Sequence, residues 1–92
     1  MGGAKGTLMR LEGKVALVTG AAHERGIGRG IALALAEEGV DVAINDIGFD
    51  EMGEELAARI ESLGRRSRFY KADVSRRAEV DDLVAAVKRD FG

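Results

Sequence analysis

Apolar and polar positions along this chain switch between two periods, and the switches divide it into six segments. A short apolar run at 15–19 has the length of a buried strand rather than a helix. It ends in glycine, and from Ile27 the apolar positions recur at helical spacing. Ile27, Ile31, Ala34 and Leu35 share one side of that helix, the side expected to meet the core. The helix, 27–38, is expected to stop at Gly39 as a C′ residue. A second strand covers 40–45, where Val40, Val42 and Ile44 point one way. A second helix spans 50–63, with Asp50 as its expected N-cap, Met52, Leu56, Ile60 and Leu63 as its stripe, and Gly64 as its stop. The third strand is 67–72. Ser75 is the expected cap of a third helix, in which Val80, Leu83, Val84, Val87 and Phe91 repeat at helical spacing.

The string β-α-β-α-β-α predicts an α/β fold: a parallel sheet with right-handed crossovers and helices on its faces. The expected strand order is 3-2-1. That order leaves the first strand at an open edge, although in a complete doubly wound sheet it is central and paired on both sides. Unpaired N–H and C=O groups along such an edge invite another chain. Self-association into a homo-oligomer is therefore expected, and the chain reads as the front part of a longer protein.

The chemistry concentrates where the first strand meets the first helix. Strand, glycine turn and helix follow one another without a break from Lys14 to Gly28. Such a junction presents backbone N–H groups and the positive end of a helix dipole to whatever sits above it, and a diphosphate suits that place. Gly20, Gly26 and Gly28 carry no side chains to hold a ligand off the backbone. The Ile27 N–H, at the start of the helix, is a candidate donor to a phosphate oxygen, while its side chain is assigned to the core. Asp46 ends the second strand, about 20 residues past the glycines, where a carboxylate accepts hydrogen bonds from ribose hydroxyls.

Bulk properties narrow the alternatives. The chain has 92 residues, enough for one small domain, and a formal net charge of −2, so no general attraction to nucleic acid or anionic membrane is expected. Arg65, Arg66 and Arg68 form one basic trio, read as a solvated loop leading into a strand. There is no cysteine and a single histidine, His23, which excludes a thiolate nucleophile and a histidine-rich metal site within this sequence. No metal ligand set is assigned. No apolar run approaches the ~20 residues of a membrane span, so the cytoplasm is the expected location. Residues 1–10 lack the apolar core of a signal peptide and are read as a flexible leader before a dinucleotide-binding unit at 11–92.

These residues resemble the short-chain dehydrogenase/reductase family. Leu11-Glu12-Gly13-Lys14-Val15-Ala16-Leu17-Val18-Thr19-Gly20 is similar to its opening strand and turn. Gly26-Ile27-Gly28 is similar to the end of its Thr-Gly-x-x-x-Gly-x-Gly loop, Asn45-Asp46 stands where the family reads the adenosine ribose, and Ala72-Asp73-Val74 resembles its adenine-contacting segment. The resemblance implies the front half of a Rossmann-type domain and an NAD(P)-dependent oxidoreductase acting on an alcohol or ketone, of the 3-oxoacyl-carrier-protein reductase type. By the same resemblance Gly20 makes the turn, Gly26 allows close approach, and Gly28 lets the helix pack on the sheet. Asp73 accepts from the adenine amino group, with the Val74 backbone beside it. A carboxylate at Asp46 opposes an added 2′-phosphate by about 4 kcal/mol at ~4 Å and an effective dielectric of about 20. Arg25 pulls the other way, but an exposed ion pair is worth roughly 0–1 kcal/mol. NAD is therefore expected over NADP.

Two departures matter. Five residues, 21–25, separate Gly20 from Gly26 where the usual pattern has three. The enoyl-reductase branch has that longer spacing but carries Ser-Ile-Ala where this chain has Gly-Ile-Gly. His23, in the longer loop, is expected to face solvent. The family moves its proton with a Ser, a Tyr and a Lys four residues after that Tyr. Here the single tyrosine, Tyr70, is followed at that distance by Val74, so no catalytic residue is assigned. A rival reading is a freestanding, non-catalytic nucleotide-binding or oligomerising module. A phospho-acceptor receiver domain shares the alternating pattern but needs an acidic pair where this chain has Thr19-Gly20.

Overall fold

A computed structural model describes residues 14–23 and 25–92. The expected leader at 1–10 lies outside them. Three strands form one parallel sheet: β1 (Val15–Val18), β2 (Asp41–Asp46) and β3 (Ser67–Lys71). The order is β1-β2-β3, the expected 3-2-1 arrangement seen from its other edge. Helices α1 (Ile27–Glu37), α2 (Asp50–Ser62) and α3 (Arg77–Phe91) follow the strands in turn. This is the front of a Rossmann-type α/β fold.

Register explains the core. Ala16 pairs with Val42 and Val18 with Ile44, and Ile44 in turn pairs with Phe69, so one face of the sheet is an apolar row. Against it pack Ala32 and Ala36 of α1 and Leu56, Ala57 and Ile60 of α2. β2 is hydrogen-bonded on both sides and buried along its whole length. The second face is more open. Val15 and Leu17 on β1 remain 41% and 38% exposed. Tyr70, on the other side of β3 from Phe69, reaches α3 and donates its hydroxyl proton to Asp90 at 2.8 Å.

The structure corrects the expected face of α1. Ile27 is 82% exposed and Ile31 49%, whereas Arg29, Ala32 and Ala36 are buried. Alanines let a helix axis come close to a sheet; the two isoleucines are left outside, while Leu33 and Leu35 pack at the margin of the core. Because α1 is apolar nearly all round, periodicity by itself could not choose between its two stripes. Arg29 is buried because its Nη2 donates to Glu55 of α2 at 2.6 Å, tying the two helices together.

Three helix-boundary and surface expectations also change. Asp50 is not the N-cap of α2. Phe49 holds that place in the left-handed region (φ 60°, ψ 45°), and Asp50 falls in the first turn, where its charge suits the dipole. Ser75 does not cap α3, which begins one residue after Arg76. Its hydroxyl and amide both donate to Asp73 Oδ1, at 2.6 Å and 3.0 Å, so the segment is spent on a turn before the helix. The basic trio is not simply solvated. Arg66 donates from its backbone N and its Nε to the two oxygens of buried Asp41, both at 2.9 Å, and Arg65 donates to the Gly39 carbonyl at 2.8 Å. Burial pushes the Asp41 carboxyl up, but the Arg66 hydrogen bonds and the two guanidinium charges outweigh it and hold the group below the usual carboxylate range.

Gly53 shows how tightly α2 lies on β3. A Cβ there would sit 2.3 Å from Phe69 Cδ1 and 2.7 Å from its Cγ. Replacing glycine by alanine in a helix ordinarily gains about 1 kcal/mol. Here overpacking of ~1–3 kcal/mol opposes it. Gly53→Ala is expected to lower the midpoint of chemical denaturation, and Gly53→Ala combined with Phe69→Leu to recover most of the loss. An alanine single variant as stable as the parent would show that the ring swings aside freely.

Candidate functional site

The carboxyl ends of the three strands open into a cleft of about 310 Å³, lined by Thr19, Gly20, Asn45, Asp46, Ile47, Ala72, Asp73, Val74 and Ser75. In open parallel sheets ligands bind at that end. A larger space of about 440 Å³ lies between β3 and α3, bounded by Tyr70, Glu79, Asp82 and Leu83 among others. It has no glycine turn beside it, and the helix start that borders it carries the acidic Glu79 in its first turn, which opposes an anion, so the smaller cleft is the candidate site.

The glycine turn forms one wall. Gly20 has φ +63°, a conformation in which a side chain is strained. Gly26 is the N-cap of α1 and lends it no side-chain hydrogen bond, and the first turn of α1 has no acidic residue. The early N–H groups of α1, those of Ile27 and Gly28, therefore have no capping side chain among the described residues, and the helix dipole leaves partial positive charge there. Other amides of the loop are already used. Ala21 N donates to the Asn45 carbonyl, Gly26 N to the His23 carbonyl, and Arg25 N to His23 Nδ1. Fewer loop amides are thus available to an anion than the sequence implied, and those left lie toward the helix start. Gly28 lets that helix start approach the turn itself rather than the sheet. A Cβ on Gly28 would lie 2.7 Å from the Gly20 carbonyl oxygen, and one on Gly26 would lie 3.1 Å from the His23 carbonyl oxygen.

Asp46 joins this wall to the next. It is buried at the end of β2, where its Oδ2 accepts from Ala22 N at 3.1 Å and its Oδ1 from Ile47 N at 2.7 Å. Each oxygen retains a lone pair for a further donor. Asn45, beside it, donates from Nδ2 to the Tyr70 and Ala72 carbonyls at 3.0 Å and 3.2 Å, fastening the ends of β2 and β3 together. Nothing in the sequence pattern marked Asn45 for that role except its polarity inside a buried strand.

The far wall comes from the turn after β3. Ser75 holds the Asp73 carboxyl below its ordinary range, through its hydroxyl first and its amide second. Asp73 Oδ2 has no partner among the described residues. Ile47 and Val74 both line the cleft and are 60% and 48% exposed, apolar surface suited to a planar ring. Arg25 is exposed and is not among the residues that line the cleft. The expectation for His23 is overturned: it is only partly exposed, and its ring packs edge-on against Phe49 with centroids 4.9 Å apart.

Comparison with known proteins completes the description. The family model described as enoyl-(acyl carrier protein) reductase matches residues 20–92. The chain belongs to the short-chain dehydrogenase/reductase family. A short-chain dehydrogenase/reductase of Armillaria gallica is 46% identical over 82 residues, covering 88% of this chain and 31% of that relative. Two solved structures superpose on this short-chain dehydrogenase/reductase chain closely. One is a short chain dehydrogenase from Burkholderia cenocepacia J2315 in complex with NADP (TM-score 0.83, 44% identity, 90% of this chain and 33% of that one). The other is an NAD+-bound xylitol dehydrogenase (TM-score 0.81, 41% identity, 90% of this chain and 31% of that one). The chain thus spans about a third of the length of these relatives. No helix among the described residues is long and apolar enough to cross a membrane.

Proposed function

We propose that this chain is the cofactor-binding front portion of an NAD-dependent short-chain oxidoreductase whose complete form interconverts an alcohol and a ketone. The observation that carries the reading is the close fit of Gly28 against the Gly20 carbonyl, which sets the uncapped start of α1 against the turn whose Ala22 amide holds the buried Asp46 carboxylate. The fit to a dinucleotide is chemical as well as geometric. The Ile27 and Gly28 amides suit a diphosphate, Asp46 a ribose, and the apolar surface of Ile47 and Val74, with Asp73 in the same cleft, an adenine ring. A bound nicotinamide dinucleotide supplies hydride transfer. The residues of this chain bind and orient its adenosine end.

Proton transfer is not their task. Tyr70 is pushed up to about 12, first by burial and then by its hydrogen bond to the Asp90 carboxylate. A tyrosine that works as an acid or base near neutral pH needs the opposite shift. Tyr70 is a strand-to-helix tie.

NAD is preferred over NADP in this reading because Asp46 is buried and fixed by two amides, whereas Arg25 is exposed and is not among the residues that line the cleft. The solved neighbours include both an NAD+ complex and an NADP complex. Isothermal titration of the chain with each dinucleotide is the test. NAD+ is expected to bind at least about tenfold more tightly, a difference of roughly 1.4 kcal/mol. Tighter binding of NADP+ would reverse the cofactor assignment, and binding of neither would end the nucleotide reading. Self-association through the open edge of β1 belongs to the same proposal, supported by the exposure of Val15 and Leu17.

A further inference from the structure

Phe49 is the one residue other than glycine with positive φ among the described residues. A bulky side chain is rarely found there. Gly48, immediately before it, takes no such conformation. The chain therefore places its left-handed turn on a phenylalanine when a glycine stands next to it. The ring of that phenylalanine meets His23, with centroids 4.9 Å apart and planes at 81°, an edge-to-face arrangement favoured by aromatic quadrupoles. The His23 ring and the Phe49 backbone are anchored, while the Phe49 side chain is 50% exposed. His23 Nδ1 accepts from Arg25 N at 3.1 Å, and its carbonyl accepts from Gly26 N at 2.9 Å. The Phe49 carbonyl accepts from Gly53 N at 2.9 Å, which locks Phe49 to the first turn of α2.

The two ring-bearing segments are also the two that hold Asp46. His23 follows Ala22, whose amide binds Oδ2, and Phe49 comes shortly after Ile47, whose amide binds Oδ1. The residues added to the glycine loop bring the histidine across to the loop after β2. We propose that His23 and Phe49 form a closed aromatic bridge beyond Asp46 that excludes a phosphate on the ribose 2′-oxygen. The inference rests on the reading of Asp46 as the ribose acceptor. In this proposal the 2′ substituent of a ribose bound to that carboxylate points toward the two segments whose amides hold Asp46 and whose rings meet. An added phosphate meets a fixed negative charge and a bridge held from both sides. Selectivity then has a steric part, in addition to the electrostatic one.

The test measures dissociation constants of NAD+ and NADP+ for the full chain and for His23→Ala, Phe49→Gly and the double variant. Phe49→Gly removes the ring and suits the left-handed backbone, so it keeps the fold where Phe49→Ala leaves strain. The readout is the ratio of the two constants, because a merely structural loss weakens both dinucleotides together. Each single variant is expected to shift the ratio toward NADP+ by at least about fivefold. The double variant is expected to shift it no further, since removing one ring already opens the bridge. An unchanged ratio in both single variants overturns the bridge and leaves the nucleotide site standing. Failure of the parent chain to bind either dinucleotide overturns both.

Discussion

Gly28→Ala is expected to weaken NAD+ binding by tenfold or more and to destabilise the chain by ~1–3 kcal/mol, the range of overpacking in a tight site. The added Cβ would lie 2.7 Å from the Gly20 carbonyl oxygen, 3.1 Å from the Gly20 carbonyl carbon and 3.0 Å from the Ala21 Cα. All three are backbone atoms, so no rotamer change relieves the contact. Either the turn or the start of α1 has to move. The turn is tied at Ala21 to the Asn45 carbonyl and at Ala22 to Asp46. The helix start is the freer partner, and it carries the amides proposed to face the diphosphate. Calorimetry and a denaturation curve measure the two effects separately. A Gly28→Ala chain that binds NAD+ like the parent would remove the glycine cradle from the account. Gly30 is the internal control, because a Cβ there meets nothing within 4 Å.

Asp46→Asn is expected to lose at least about tenfold in NAD+ affinity and ~1–3 kcal/mol in stability, the cost of a buried donor left without a partner. Two backbone amides, Ala22 N and Ile47 N, point at the two carboxylate oxygens. An asparagine offers one oxygen and one NH2. Whichever way its amide is turned, an N–H donor faces an N–H donor. The proposed ribose site then loses a charged acceptor, and one of the two amides, Ala22 N or Ile47 N, loses its partner. If the affinity falls while NADP+ binding rises, the charge at this position was the discriminator. If neither dinucleotide is affected, Asp46 is only a brace for the glycine loop.

Much of this site was legible before any coordinates. Gly20, Gly26, Gly28, Asp46 and the Ala72-Asp73-Val74 segment stand at fixed distances from strands whose apolar runs are unambiguous, and the structure brings the strand ends of all three together. The misreadings share one origin. Asp50 and Ser75 are good capping residues by type, yet a cap is defined by where the side chain oxygen lands. The Ser75 hydroxyl lands on Asp73, and the Phe49 backbone occupies the cap place of α2. The bond between Arg66 and Asp41 joins residues 25 positions apart, and no local pattern announces it. The same holds for His23 and Phe49, where one residue of the pair lies in a loop whose unusual length was visible but whose direction was not.

Strand and helix identity, strand order and the glycine turn between β1 and α1 follow from periodicity and glycine placement alone, because these depend on neighbours within a few residues and on general rules of α/β connection. Which stripe of α1 is buried, which loop amides are already bonded within the protein, and which ring meets His23 were decided by packing. They depend on contacts between segments far apart in the chain, and in an apolar helix or a loop several such contacts satisfy the same local pattern equally well.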